Sequence, residues 1–322
     1  MRIIPRLALA LALAAAPGAA SALNVLLTND DGPNPGISAM RGALCAAGHS
    51  VTVVRPATNQ SGRGGSINTT AVSSSGFMGL TRVSSDACGV VYSLASPAAQ
   101  YGGTPVDSLK AGLSVILAGN PPDLVVSGLN FGQNLGKPTS NSSGTVGAAL
   151  QAALQGIPAI AGSVGLLLSE NPAFGSTIAA FPDAANFVTS VIAALEAEPG
   201  SALLPSKVKL LNINFPVPYS SITGVAITKR ADRSELELPL FDVNFGFPPL
   251  RPPNPLSPNC LGLVDGQSCS VGVGVVSVPG PDDERDADTD AHAAGLISIT
   301  PMDGDMTSDN MSAQSILGGL TP

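Results

Sequence analysis

The 322-residue chain has no tryptophan, only 4% aromatic residues and only 12% charged residues. A core without large rings has to be built from Ala, Val, Leu and Ile, which suits a mostly parallel sheet covered by helices on both faces. Only 15 Lys and Arg stand against 23 Asp and Glu, a net charge of -8. A nucleic-acid polymer is thereby excluded as partner, because affinity for a phosphate backbone needs clustered cations. A small phosphorylated ligand stays open, since a bound cation supplies positive charge locally. The chain has two histidines, four cysteines and no CxxC or Cys/His cluster, so a zinc site is not expected. There is no internal repeat.

Long apolar runs are nearly absent too. The one at the start, "MRIIPRLALALALAAAPGAASA", has Arg2 and Arg6, an apolar stretch from Leu7 to Ala16, a Pro-Gly break and the small-residue ending Ala20-Ser21-Ala22. It reads as a secretory signal cleaved after Ala22. A transmembrane anchor is the rival, but the run falls short of the roughly 20 residues a bilayer requires. No other stretch is expected to span a membrane. The mature chain is therefore expected outside the cytoplasm, secreted or periplasmic, where disulfides persist. Cys260 and Cys269 flank the short loop "LGLVDGQS" and form the candidate disulfide; Cys45 and Cys88 are left to pair or to stay buried.

From residue 24 strand and helix signals alternate. "NVLLT" (24–28) reads as a strand, "GISAMRGALCAAG" (36–48) as a helix, "SVTVVRP" (50–56) and "VVYSL" (90–94) as strands. "TPVDSLKAGLSVIL" (104–117) opens as a helix with Thr104 as cap, Pro105 in the first turn and Asp107 closing a capping box. "DLVVS" (123–127) is a strand followed by a Gly/Asn loop, "SGTVGAALQAALQG" (143–156) a helix, "PAIAGS" (158–163) a strand, and a helix follows at about 182–197. After Lys207, "VKLLNINFP" and "ITGVAITKR" are strands with no helix between them, "DDERDADTDAHA" (282–293) an acidic loop, and "GLISITPMDGD" a last strand. The expected fold is α/β: a Rossmann-like, doubly wound, mostly parallel sheet with a C-terminal β-rich extension. The expected organisation is a leader at 1–22, an α/β core at 23–230, an irregular Pro-rich insertion at 231–285 and a terminal strand and tail at 286–322.

In "LNVLLTNDDGPNPGI" the first strand runs straight into two adjacent carboxylates, Asp30 and Asp31. Like charges at the rim of an apolar core cost free energy unless a cation or strong donors offset them. They could cap the helix near Gly36 or form a turn with Gly32. Ligands of open α/β sheets, however, bind at the carboxyl ends of strands, and Ser61 and Asn130 each follow another strand. Asp30, Asp31, Ser61 and Asn130 make an all-oxygen set suited to one divalent ion, Mg²⁺ or Mn²⁺, with Ca²⁺ also accommodated. The helix start "SSGTVGAA" adds N–H donors and a dipole for an anion.

The ordered motifs "VLLTNDDGPNPGI", "VTVVRPATNQSG", "GTPVDSLKAGL", "PDLVVSGLNFGQNLG", "SGTVGAAL" and "TDAHAAGLISITP" resemble the SurE family of 5′/3′-nucleotidases. The likeness covers most of residues 23–163, with weaker echoes at 208–230 and 288–301. It implies a divalent-metal-dependent phosphomonoesterase of nucleoside monophosphates, or a broader acid phosphatase, with a small phosphomonoester as substrate. It puts the metal on the same four residues, catalysis on Asp30 and Asp31, and phosphate contacts on Asn134, Ser143, Gly144 and Thr145. Asn29, Asn59 and Gly62 shape the pocket or serve turns. A water attack is expected, with Asp30 as the base, because the D-x-D-x-T pattern of aspartyl-phosphate enzymes is absent. The leader resembles an exported, acid-phosphatase-like branch. Residues 231–285 depart from the hairpin that helps family members dimerise, although a homodimer or higher homo-oligomer is still expected. Ser108 stands where the family often has Cys. His49 is expected on the surface, and His292 in the acidic loop away from the site. The competing reading is a secreted nucleotide- or anion-binding protein without turnover; a third is a structural domain stabilised by metal.

Overall fold

The computed structural model describes residues 2–5, 22–68, 77–95, 103–198, 202–205, 207–237, 240–242, 269, 271–273, 276–277, 280 and 282–304. At its centre lie β2 (Asn24–Thr28), β3 (Ser50–Pro56), β5 (Gly89–Ala95), β6 (Leu124–Phe131), β7 (Ala159–Val164) and β8 (Leu210–Phe215), all parallel to their neighbours in this group. Four strands extend the edges: β4 (Gly79–Asp86) antiparallel to β5, β14 (Leu296–Met302) antiparallel to β8, β9 (Gly224–Ile227) parallel to β14, and β1 (Arg2–Pro5) antiparallel to β9. The order β1-β9-β14-β8-β7-β6-β2-β3-β5-β4 is the doubly wound α/β fold expected. The chain moves from β2 to β3 on one side, then crosses back to put β6 on the other. That reversal leaves a crevice between the carboxyl ends of β2 and β6, where such sheets take ligands.

The strands read as continuous apolar runs because both faces are covered. On one face Val25, Leu27, Val51, Val53, Val126 and Ile160 pack under α1 (Pro35–Ala46) and α5 (Gly175–Glu196). On the other, Leu26, Val54, Val125, Ala159 and Ala161 pack under α2 (Pro105–Ala111) and α4 (Gly144–Leu154). The second layer is closed largely by alanine: Ala149, Ala152 and Ala153 let α4 lie close to the sheet. The capping box of Thr104 and Asp107 forms as expected.

Several expectations are corrected. α5 begins at Gly175, with Pro182 inside it; burial of Phe181, Ala184, Ala185 and Val188 on the α1 side outweighs the cost of one interior proline. By length and composition this helix could also cross a membrane, but its apolar face is part of the core. The helix expected to reach residue 117 ends at Ala111 and continues as a π turn, Gly112–Ile116. Edge strand β4 carries mostly exposed residues and so lacked an apolar alternation to read. α3 (Gly136–Ser142), "GKPTSNS", is built from weak helix formers.

The segment at 231–285 is not wholly irregular. Leu236–Glu237 (β10) pairs antiparallel with Val276–Ser277 (β13), and Leu240–Asp242 (β11) with Val271–Val273 (β12). Within the acidic stretch, Asp288–Ala293 forms α6. His49 is buried, not at the surface; its Nδ1 accepts from Leu23 N at 3.2 Å, and burial pushes the imidazole below its ordinary pKa. Residues 6–21 of the leader and Cys260 lie outside the described residues, while Cys269 is disulfide-bonded.

Cys45 at the end of α1 is bonded to Cys88 in the β4–β5 turn, with Cα atoms 5.6 Å apart and 43 positions between them in sequence. Closing a loop of that length in the unfolded chain is worth about 4 kcal/mol in the entropic account. Reduction, or Cys88→Ala, is expected to lower the melting temperature measured by circular dichroism by several degrees, while leaving the far-UV spectrum of the folded protein unchanged.

Candidate active site

β2 ends at Thr28, and the chain turns at Gly32, whose φ of +74° and close backing by Pro56 O and Thr58 leave no room for a side chain. The two carboxylates leave this turn in different directions. Asp30, 2% exposed, points to the N-terminus of α4. Its Oδ1 accepts from Thr145 Oγ1 at 2.7 Å and its Oδ2 from Thr145 N at 3.2 Å, with the Gly144 N–H adding to them. Asp31 turns across the crevice: its Oδ2 accepts from Phe131 N at 3.0 Å and from Asn34 Nδ2 at 2.7 Å. Asn34, not an aspartate, caps α1, by accepting from Ile37 N at 2.8 Å. The capping alternative for the pair is thereby removed.

Electrostatically the site is short of positive charge. Burial raises the pKa of Asp30, against the pull of the Thr145 and Gly144 donors. Burial and then the neighbouring Asp30 charge push Asp31 up to about 7. On the loops and strand end beside the pair, the buried side-chain oxygens Asn29 Oδ1, Gln60 Oε1 and Asn130 Oδ1 accept no hydrogen bond among the described residues. The Asn130 amide is oriented by its own Nδ2, which donates to Gly132 O at 2.7 Å, so the oxygen is the free end. Two carboxylates and unfilled amide oxygens form a hard-oxygen environment that a divalent cation satisfies and a neutral ligand does not. Among the described residues no group of three His, Cys, Asp or Glu side chains is gathered as a metal site; the donor set here is carboxylate, amide and hydroxyl.

Ser61 approaches through its loop. Gln60 N donates to Asp30 O at 2.7 Å, and Ser61 N is held by Asn59 Oδ1 at 2.8 Å, which leaves the Ser61 residue exposed beside the pair. Below it, Gly64 N reaches Ser142 O at 2.9 Å, seating the loop against the start of α4.

The four residues expected on phosphate have other partners. Thr145 and Gly144 are engaged with Asp30, and a Cβ on Gly144 would come within 2.8 Å of Asp30 Cβ. Ser143 caps α4 by accepting from Val146 N at 3.1 Å. Asn134 is buried and wired to the sheet: its Nδ2 donates to Ser163 Oγ at 2.9 Å, its N to Asn214 Oδ1 at 2.7 Å, and its O accepts from Asn212 Nδ2 at 2.9 Å. The helix dipole thus acts on the Asp30 carboxylate.

The family model for "Survival protein SurE" matches residues 25–237. The chain belongs to the SurE family. Relatives include the 5′-nucleotidase SurE of Thermosynechococcus vestitus, 35% identical over 294 residues, which are 88% of this chain and 92% of that protein. The 5′-nucleotidase SurE of Methanocella arvoryzae is 36% identical over 210 residues, 65% of this chain and 73% of the relative. The crystal structure of the SurE protein from Aquifex aeolicus superposes with a TM-score of 0.64 at 29% identity, covering 92% of this chain and 99% of the other.

In this SurE-family chain, the residues that brace the site were the harder ones to read from sequence. Asp288 of α6 accepts from Gly136 N at 3.1 Å and Ala231 N at 2.9 Å, tying the distant C-terminal part to the loop after β6. Gln133, in that loop, donates to Glu235 and accepts from Leu166 N. His292, expected in a solvated loop, is buried in α6 and pairs with Glu235 at 2.9 Å. These contacts span 33 to 152 positions in sequence, so no local pattern announces them.

A carboxyl whose folded pKa lies above its unfolded value stabilises the fold while protonated, and that contribution is lost as pH rises towards the folded value. For Asp31 the window runs from about 4 to about 7. Metal-free protein is expected to lose on the order of 4 kcal/mol of stability across it. Urea melts in EDTA should show this slope, and Asp31→Asn should flatten it.

Proposed function

We propose that this chain is a divalent-metal-dependent phosphomonoesterase that hydrolyses nucleoside 5′- and 3′-monophosphates, with broader acid phosphatase activity on simple esters. The observation that carries this reading is the adjacent pair of buried Asp30 and half-buried Asp31 at the topological switch point, with neighbouring amide oxygens that lack donors among the described residues. The relatives' name, 5′-nucleotidase, supports the substrate class.

Asp30, Asp31, Asn130 Oδ1 and Ser61 would hold the ion, which when bound supplies a Lewis acid that polarises a phosphoryl oxygen and offsets its charge. Asp30 has both oxygens engaged by Thr145 and Gly144, so its part is to stay fixed and orient. Asp31 Oδ2 is likewise engaged, but Oδ1 has no hydrogen-bond partner among the described residues. Asp31 Oδ1 is therefore the carboxylate oxygen of the pair left open to the ion. Its backing by Phe131 N and Asn34 keeps that oxygen aimed.

Phosphate release should be measured from 5′- and 3′-nucleoside monophosphates and p-nitrophenyl phosphate, from acid to neutral pH, with Mg²⁺, Mn²⁺ or EDTA. Release is expected with metal only. Asp30→Asn and Asp31→Asn are each expected to lower kcat by at least about 10²-fold. Folded, metal-loaded protein that releases nothing would leave the binding-protein reading in place.

We also propose that the mature protein acts outside the cytoplasm as a homo-oligomer. The Arg2/Arg6-led apolar segment and the Cys45–Cys88 disulfide support export; cleavage after Ala22 removes β1, an edge strand, and leaves the sheet from β9 to β4. The paired strands β10–β13 and β11–β12 offer an arm for self-association. Intact-mass analysis of protein from the periplasm or medium should find a chain beginning at Leu23, and light scattering a mass at least twice the monomer's. A full-length, monomeric product would count against both.

A further inference from the structure

A cavity of about 520 Å³ lies on the α1 side of the sheet, between α1 and strands β3, β4 and β5. Its apolar walls are Pro35, Ile37, Val53 and Val91, and two guanidinium groups line it, from Arg41 and Arg55. The two cations differ in their partners. Arg41 is neutralised by Asp86, bound at 2.6 and 3.0 Å, and also reaches Gly89 O. Among the described residues Arg55 makes a single hydrogen bond, from Nη1 to Pro56 O at 3.2 Å, and has no carboxylate partner.

The position of Arg55 ties it to the site. The Pro56 carbonyl that it caps is the same one that packs 3.2 Å from where a Cβ of Gly32 would sit. The guanidinium therefore overlies the turn that immediately follows Asp31. Asn34, on the other side of that turn, lines the cavity and donates to Asp31 Oδ2. Asn34 is thus common to the cavity and to the Asp31 carboxylate. Burial depresses the Arg55 pKa, a sign of desolvation without compensation. A half-buried cation of this kind is costly unless an anion meets it, and the planar fork suits a phosphate bidentately.

We infer that this cavity receives the leaving group of the substrate and that Arg55 binds a second phosphate on it, so that the favoured substrates are nucleotides carrying two separate phosphates, such as nucleoside 3′,5′-bisphosphates. This rests on the phosphomonoesterase reading above. One ester is cleaved at the Asp30–Asp31 site by water; the other phosphate stays on the product, held by Arg55, while Pro35, Ile37, Val53 and Val91 face the sugar or base. A neutral nucleoside would leave the guanidinium uncompensated, which disfavours the plain monophosphate as the best substrate.

The test compares kcat/KM for adenosine 3′,5′-bisphosphate and adenosine 5′-monophosphate in the full-length, metal-loaded protein, with p-nitrophenyl phosphate as reference. The wild type is expected to favour the bisphosphate. Arg55→Ala should reduce the bisphosphate/monophosphate ratio about tenfold, mainly through KM, and Arg55→Lys should recover part of it. Binding of the bisphosphate to Asp30→Asn, with and without Arg55→Ala, reads the same contact without turnover. A wild type without preference, or an Arg55→Ala ratio equal to the wild type's, overturns the inference and leaves the phosphomonoesterase intact. A wild type that hydrolyses none of the three esters removes the proposed function, and this inference with it.

Discussion

Asp30 seated on the first turn of α4 is the contact on which the rest of the site depends. A carboxylate buried at a strand end is tolerable only with strong donors, and Thr145 Oγ1, Thr145 N and Gly144 N provide them. The helix N-terminus adds its partial positive charge. The contact also joins β2 to α4 across 115 positions of sequence, locking the central strand to the helix that covers its second face. The alanine-rich underside of α4 follows from this. The helix has to lie close to the sheet for its first turn to reach Asp30, and larger side chains at Ala149, Ala152 or Ala153 would lift it away.

Asp31 has the opposite character. Its donors come from Phe131 on β6 and Asn34 on the cap of α1, so it belongs to the crevice between the two halves of the sheet. Being less well compensated, its carboxyl is held near a pKa of 7, where a proton can be gained or lost. Adjacent aspartates in one turn are thereby given unequal environments. One is fixed by a helix N-terminus, and the other is held across the crevice from β6 and the cap of α1.

The donor-poor oxygens of Asn29, Gln60 and Asn130 extend this logic. Asn29 and Gln60 come from the loops after β2 and β3, and Asn130 from the carboxyl end of β6 itself. The Gln60 loop is held through Asp30 O, and the loop after Asn130 through Asp288, Glu235 and Asn214. The C-terminal part of the chain, which supplies Asp288 and His292, contributes to the site by holding a loop still.

Much of this was legible in the sequence itself. The alternation of apolar runs and amphipathic stretches implied the doubly wound sheet, because each strand must bury two faces and each helix one. The strand-end positions of Asp30, Asp31, Ser61 and Asn130 implied a common edge, because parallel strands align their carboxyl ends. The capping box at Thr104 was readable because its partners lie three positions apart. What only the tertiary structure decided are pairings between distant segments. The α4 terminus donates to Asp30, Asn134 is bonded to Ser163 and Asn214, His49 and His292 are buried, and α5 runs through Pro182. Composition and period cannot carry such information. They report what a segment prefers alone, whereas burial and the competition for donors are settled by whichever neighbour the fold brings within reach.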